Sequence, residues 1–128
     1  MAEFNLLQAL LDTEFKPEKD VPMRRFGEGA VFRVRALDEK ERRRLLEQAM
    51  YPVKGGGEQL DEEKLQSLLI ANSCVVPAWN DPALLAGLGV STAHDAVTKR
   101  LLPGEISKLV VAINEVSGFG VSYDDLKN

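Results

Sequence analysis

The sequence is short of the side chains on which much protein chemistry depends. Cys74 is its one cysteine and His94 its one histidine. A single cysteine closes no intramolecular disulfide, and a zinc site built on a cysteine pair within one chain is excluded. A reducing compartment fits that usage. Basic charge is also scarce, with 16 Lys and Arg against 20 Asp and Glu, a net charge of -4 and a pI near 5.1. Without clustered cations to displace counterions there is no general attraction to phosphate, so nucleic acid is a poor default partner. Long apolar runs are missing too, since none approaches the roughly 20 residues needed to cross a bilayer. The start, Met1-Ala2-Glu3, is acidic, and Gln8, Asp12 and Glu14 break the apolar stretch after it, so no signal peptide is expected. The cytoplasm is the expected location, with no membrane partner.

Across the 128 residues, 45% are hydrophobic and 28% charged, an ordinary globular balance well away from that of disordered chains. A chain of this length buries one adequate core. A single domain is expected over residues 1–128, with a flexible loop at about 52–60 and mobile ends at 1–20 and 120–128.

The pattern along the chain is mainly helical. Phe4, Leu7, Leu10 and Leu11 recur at helical spacing and predict a short amphipathic first helix. Between Val21 and Leu37 the period shortens: Met23 to Phe26 leads into Gly27-Glu28-Gly29, and Phe32-Arg33-Val34-Arg35 alternates apolar with charged residues. That pattern predicts a β-hairpin with Phe32 and Val34 on one face and Val31, Arg33 and Arg35 on the other. Asp38 with Glu41 three residues on marks a capped helix start, and Leu45, Leu46, Ala49 and Met50 form that helix's apolar stripe. Three consecutive glycines, Gly55 to Gly57, follow as a loop. Asp61 then caps a third helix with Leu65, Leu68 and Leu69 on one face. Asp81 before Pro82 starts a short helix to Ala86, ended by Gly87 and Gly89. Thr92, with Asp95 three residues on, caps another, whose inner stripe is Ala93, Val97 and Leu101. The last helix runs from Pro103 to Ser117 on Ile106, Leu109, Val110, Ile113 and Val116, and Gly118 stops it. The predicted fold is mainly α with a small β-hairpin near the N-terminal third, α+β by strict count, and no internal repeat.

Catalytic and cofactor motifs fail on geometry. Ser91, His94 and Asp95 would share the first turn of one helix, whereas a triad converges from separate elements beside an oxyanion hole. The glycine clusters at Gly27-Glu28-Gly29, Gly55 to Gly57 and Gly118-Phe119-Gly120 lack the strand, turn and helix context of phosphate loops and read as turns and caps. Glu62-Glu63 and Asp124-Asp125 are adjacent pairs whose side chains do not face each other on a helix. No catalytic, cofactor-binding or metal residue is therefore assigned, and no enzyme activity is expected. Arg42, Arg43 and Arg44, near Arg24, Arg25, Arg33 and Arg35, form a candidate basic contact face. Interspersed Glu39, Glu41 and Glu47 make a solvated, charge-laced helix the simpler reading.

Several runs together resemble the XkdN-like tail assembly chaperones of long-tailed phages and prophages. They are Cys74-Val75-Val76-Pro77 through Asp81-Pro82-Ala83-Leu84-Leu85, Gly89-Val90, Leu101 to Leu109, and Val116-Ser117-Gly118-Phe119. Leu102-Pro103-Gly104-Glu105 at the start of the last helix and Ser117-Gly118-Phe119 at its end are the most specific of these. Upstream, Phe32 to Leu37 followed by a charged helix is similar in order but less distinctive. The glycine loop at Gly55 to Gly57 and the short tail after Phe119 depart from the pattern. The resemblance implies a non-enzymatic factor that acts in the host cell during virion morphogenesis. Such a factor binds the tape measure protein, helps recruit tail tube subunits, self-associates into a homo-oligomer, and is absent from the finished tail. It also implies that a frameshifted longer form could arise from a slippery run encoding Lys127-Asn128. Phe4, Leu7, Leu10 and Leu11 are the candidate partner or oligomer contact. Two alternatives are a minor structural protein retained in the tail and a small nucleic-acid-binding regulator using Arg42 to Arg44.

Overall fold

The computed structural model describes residues 5–12 and 16–119. Six helices and five strands are seen among them: α1 Leu6–Asp12, β1 Glu18–Pro22, β2 Val31–Arg35, α2 Glu39–Ala49, β3 Met50–Pro52, β4 Glu58–Leu60, α3 Glu62–Ser73, β5 Cys74–Val76, α4 Pro82–Leu88, α5 Ala93–Arg100 and α6 Pro103–Asn114. Helix accounts for 58% and strand for 17%, so the mainly helical α+β reading holds.

The hairpin forms, but its first strand lies earlier than the alternation suggests. β1 pairs antiparallel with β2 from Glu18↔Arg35 to Pro22↔Val31, while Arg24–Phe26 makes a single 3-10 turn. Glu18, Lys19 and Asp20 hid this strand because their side chains all face solvent; only Val21 of β1 is buried. A cross-strand ion pair, Arg33 Nε to Asp20 Oδ1 at 2.8 Å, lies on the outer face. On β2, Phe32 and Val34 point inward and Val31 and Arg33 outward, as the two-residue period requires. β5 adds to the other edge of β2, giving the order β1-β2-β5 with a register shift between Arg33 and Val34. Three residues before Pro77 were too few to read as a strand. The glycine loop is closed by a second hairpin, in which Met50, Tyr51 and Pro52 pair with Leu60, Gln59 and Glu58. Gly55, Gly56 and Gly57 supply its turn at φ of 98°, 98° and 83°, angles a side chain would strain.

The helices start where the caps place them. Asp38 accepts from the Glu41 amide at 2.8 Å, and the Glu41 carboxylate accepts from the Asp38 amide at 3.3 Å. Asp61, Asp81 and Thr92 cap α3, α4 and α5 through their side chains. Glu105 accepts from the Leu102 amide at 2.8 Å at the start of α6. α4 continues past Gly87 to Leu88, and the left-handed Gly89 ends it. α6 ends at Asn114, where a wider π turn, Glu115–Phe119, takes over and Gly118 breaks it at φ 97°.

α3 is the centre of the molecule. It packs against α2, α5, α6 and the sheet, and Ser67, Leu68, Leu69, Ile70 and Ser73 are all buried. One apolar stripe is therefore too narrow a description, since a helix enclosed on several sides is buried nearly all round. Val34, Leu45, Ile70, Val97, Leu109 and Ile113 meet in the core. Beside them Phe32 stacks on Phe26 and takes Trp79 edge-on, with ring centroids 5.7 and 6.0 Å away.

Candidate functional site

α1 stands apart from this core. Leu6, Leu7, Leu10 and Leu11 are 61–81% exposed, and no charged residue interrupts Leu6 to Leu11. A helix of seven residues cannot hold its own shape in water without a surface to cover its apolar side. Leu7, Leu10 and Leu11 of the candidate contact thus lie together and face solvent, while Phe4 lies outside the described residues. Asp124, Asp125, Lys127 and Asn128 lie outside them as well. Lys16, the first described residue after α1, has its Nζ 2.9 Å from Glu41 Oε1 and 3.7 Å from Asp38 Oδ2 at the start of α2.

A second apolar surface opens beside Asp38. α2, α3 and α6 leave between them a cleft of about 680 Å³. Its apolar lining is Leu46, Leu60, Leu65, Leu69, Val110 and Phe119, with Leu37 beside them. Asp38, Glu39, Arg42 and Glu62 form a charged rim. Leu46 belongs to α2 yet lies outside the buried core, and Phe119 is 64% exposed. The π turn that carries Phe119 is fixed in place by the Ser117 hydroxyl, which accepts from the Leu37 amide at 3.0 Å. Sequence periodicity passed over this cleft because the leucines lining it belong to the same helical stripes that build the core. The visible signal was a surplus: α2 and α3 carry more apolar positions than one shared core seam needs.

The electrostatics around the cleft are those of a braced frame. Glu41 accepts from Arg35 Nη2 at 2.8 Å and from Lys16, and these bonds hold its carboxyl down at about 2. Arg35 also donates to the carbonyls of Ala36 at 2.9 Å and Asn72 at 3.1 Å, tying β2 to the end of α3. Of the candidate basic face, Arg42 makes a two-point contact with Glu39, at 2.8 and 3.0 Å, and Arg43 reaches the same carboxylate at 3.5 Å. Arg44 is exposed. The three arginines do not converge with the α1 leucines, and a carboxylate shared by two of them leaves little net attraction for phosphate.

The remaining clusters are structural. Arg25 clamps Glu105 with bonds of 2.9 and 2.7 Å and donates to the Arg100 carbonyl at 2.9 Å. The Arg25 and Arg100 guanidinium groups flank the Phe26 ring at 4.4 and 4.9 Å. Burial pushes the Cys74 thiol up to about 11, opposed by the Trp79 indole, so it is a poor nucleophile. His94 lies 3.7 Å from Asp95 on the first turn of α5, where Thr92 caps the helix.

Comparison with known proteins gives three results. A family model described as phage XkdN-like tail assembly chaperone protein matches residues 7–128. No curated protein matches the sequence. The crystal structure of the protein yqbn, a structural genomics target, superposes with a TM-score of 0.70 at 16% identity, covering 93% of this chain and 99% of that one. The two chains share a fold.

Proposed function

The chain belongs to the phage XkdN-like tail assembly chaperone family, and from that premise we propose that it binds the tape measure protein during tail morphogenesis and helps recruit tail tube subunits. It acts in the bacterial host cell without catalysing a reaction, self-associates, and leaves before the tail is complete. A tape measure is a long helical protein, and before the tube encloses it its apolar stripes need covering. The observation that carries this reading is the cleft between α2, α3 and α6. An apolar floor with a charged rim is the form of a site that takes one face of an amphipathic helix, with leucine-sized anchors at three-and-four spacing. The cleft is also built from rigid elements, since α2 and α3 are both capped and Ser117 pins the third wall.

Co-expression with the tape measure protein of the same phage tests this. The wild-type chain is expected to co-purify with it, and Leu46→Asp or Phe119→Asp to reduce the amount retained at least about tenfold, because each places a charge on an apolar contact. A wild-type chain that leaves the tape measure unbound, with both proteins soluble, contradicts the proposal.

A further inference from the structure

β1 is an edge strand, and β2 is its one neighbour among the described residues. Backbone hydrogen bonds join Ala36 to Pro17 and Met23 to Ala30. In the alternation of an antiparallel ladder the odd-numbered residues of β1 therefore bond to β2, and Glu18, Asp20 and Pro22 turn their backbone groups to the free edge. Proline has no N–H, and the Pro22 carbonyl already accepts from Lys108 Nζ of α6 at 2.6 Å. The open stretch is thus Glu18 to Asp20, with the N–H and C=O of both residues facing outward. We propose that this edge takes a short extended segment of another protein as an added strand, with Lys or Arg at two positions and an apolar residue between them.

Charge sets the chemistry of the occupant. Residues placed opposite Glu18 and Asp20 share their face of the sheet, the outer one. Asp20 is paired with Arg33. Glu18 is not paired with Arg35 across the ladder, because that guanidinium turns to Glu41 and to the Ala36 and Asn72 carbonyls. Glu18 only adds to the field on Arg33. Two exposed carboxylates on one edge, one of them without an ion pair among the described residues, favour cations opposite them. The residue between those cations points to the other face, beside α6. There Val111 is 55% exposed, between Lys108, which reaches Pro22, and Glu115, which takes Lys19. That side of α6 lies along β1, and an apolar side chain fits against Val111. A second copy of this chain is a poor occupant. Antiparallel self-pairing that uses both residues sets Glu18 against Asp20, and a shift of two sets Asp20 against itself, like charges that destabilise the pair. The edge resists its own kind and stays open to a cationic segment. This contact goes beyond the tape measure reading and does not rest on it, since the cleft uses the side of α6 that carries Val110 and Asn114.

Amide hydrogen exchange of the full chain, read by NMR during titration with two blocked peptides, tests this. One peptide alternates lysine with valine, the other glutamate with valine. With the lysine peptide bound, the Glu18 and Asp20 amides are expected to exchange at least about tenfold more slowly, while those of Lys19 and Val21, already bonded to β2, change little. The glutamate peptide is expected to bind at least about tenfold more weakly. Glu18→Gln removes the charge alone and should weaken binding of the lysine peptide about threefold. Glu18→Pro removes the edge N–H as well, at the first residue of an edge strand where proline is tolerated, and should weaken it at least about tenfold. Unchanged exchange at Lys19 and Val21 shows that β1 still pairs with β2 in each variant. Binding that leaves the Glu18 and Asp20 amides exchanging as before means attraction elsewhere on an acidic chain, and this overturns the proposal. Equal binding of the two peptides, or equal binding by the Gln and Pro variants, overturns it as well. No binding of the lysine peptide at millimolar concentration means that the charges only guard the edge, which also overturns it. Failure to bind the tape measure sinks the function proposed above and leaves this contact standing.

Discussion

Glu41 shows how single side chains hold the cleft's frame. Its carboxylate accepts from Arg35, from Lys16 and from the Asp38 amide, joining β2, the segment before β1 and the start of α2. Its side chain is only 16% exposed, and the carboxyl sits at about 2 against an ordinary 4.5. A folded value below the unfolded one means that this stabilisation is present above the unfolded value and is lost as pH falls through the folded one. Glu41→Gln is therefore expected to lower stability at pH 7 by about 1 kcal/mol after solvent screening. The gap between variant and wild type should close between pH 4.5 and about 2, which urea titrations at several pH values would show. A constant gap across that range would mean that the ion pairs contribute nothing. Cys74 gives a second test at this scale. With its thiol pushed up to about 11 by burial, it should react with a thiol reagent at pH 7.5 far more slowly in the native protein than in denaturant. Equal rates would contradict its placement at the edge of the core.

Helices show where sequence reading succeeds and where it stops. The caps at Asp38, Asp61, Asp81 and Thr92, the alternation of Phe32 and Val34, and the stripe of α6 were legible because each is a local rule that the structure obeys. β1, β5 and the β3/β4 hairpin were not, because three polar residues, or three residues in all, carry no period of their own and take their shape from a neighbouring strand. The α1 leucines were legible as a candidate contact, and the cleft was not, for a cleft is a shortfall of packing between elements. Leu109 and Leu10 separate the two uses of an apolar stripe. Leu109 is 0% exposed in α6, so Leu109→Ala should cost about 2–5 kcal/mol in a denaturant titration. Leu10→Ala on α1 should stay within about 0.5 kcal/mol when the monomer is measured at low concentration. Comparable losses for the two would mean that α1 packs on its own body. Gly89 tests the end of α4: at φ 70° a side chain is strained, and Gly89→Ala should cost about 1 kcal/mol. Among the described residues the one atom near its Cβ is Lys99 Nζ at 3.8 Å, so a larger loss would point to something other than backbone strain.

For the whole molecule, family membership and geometry point the same way. A small α+β body braced around α3 presents one apolar cleft and one apolar arm, as a protein that works by covering another chain's helices would. Its Cys74 thiol is partly buried and raised to about 11, and most of the described arginines are held by carboxylates. Quantitative mass spectrometry of tail assembly intermediates and of finished particles from one infected or induced culture tests this account most directly. The account predicts the protein together with the tape measure in the intermediates and its absence from finished particles. Its presence in finished tails at the copy number of a structural subunit, or its separation from the tape measure in the intermediates, would contradict it.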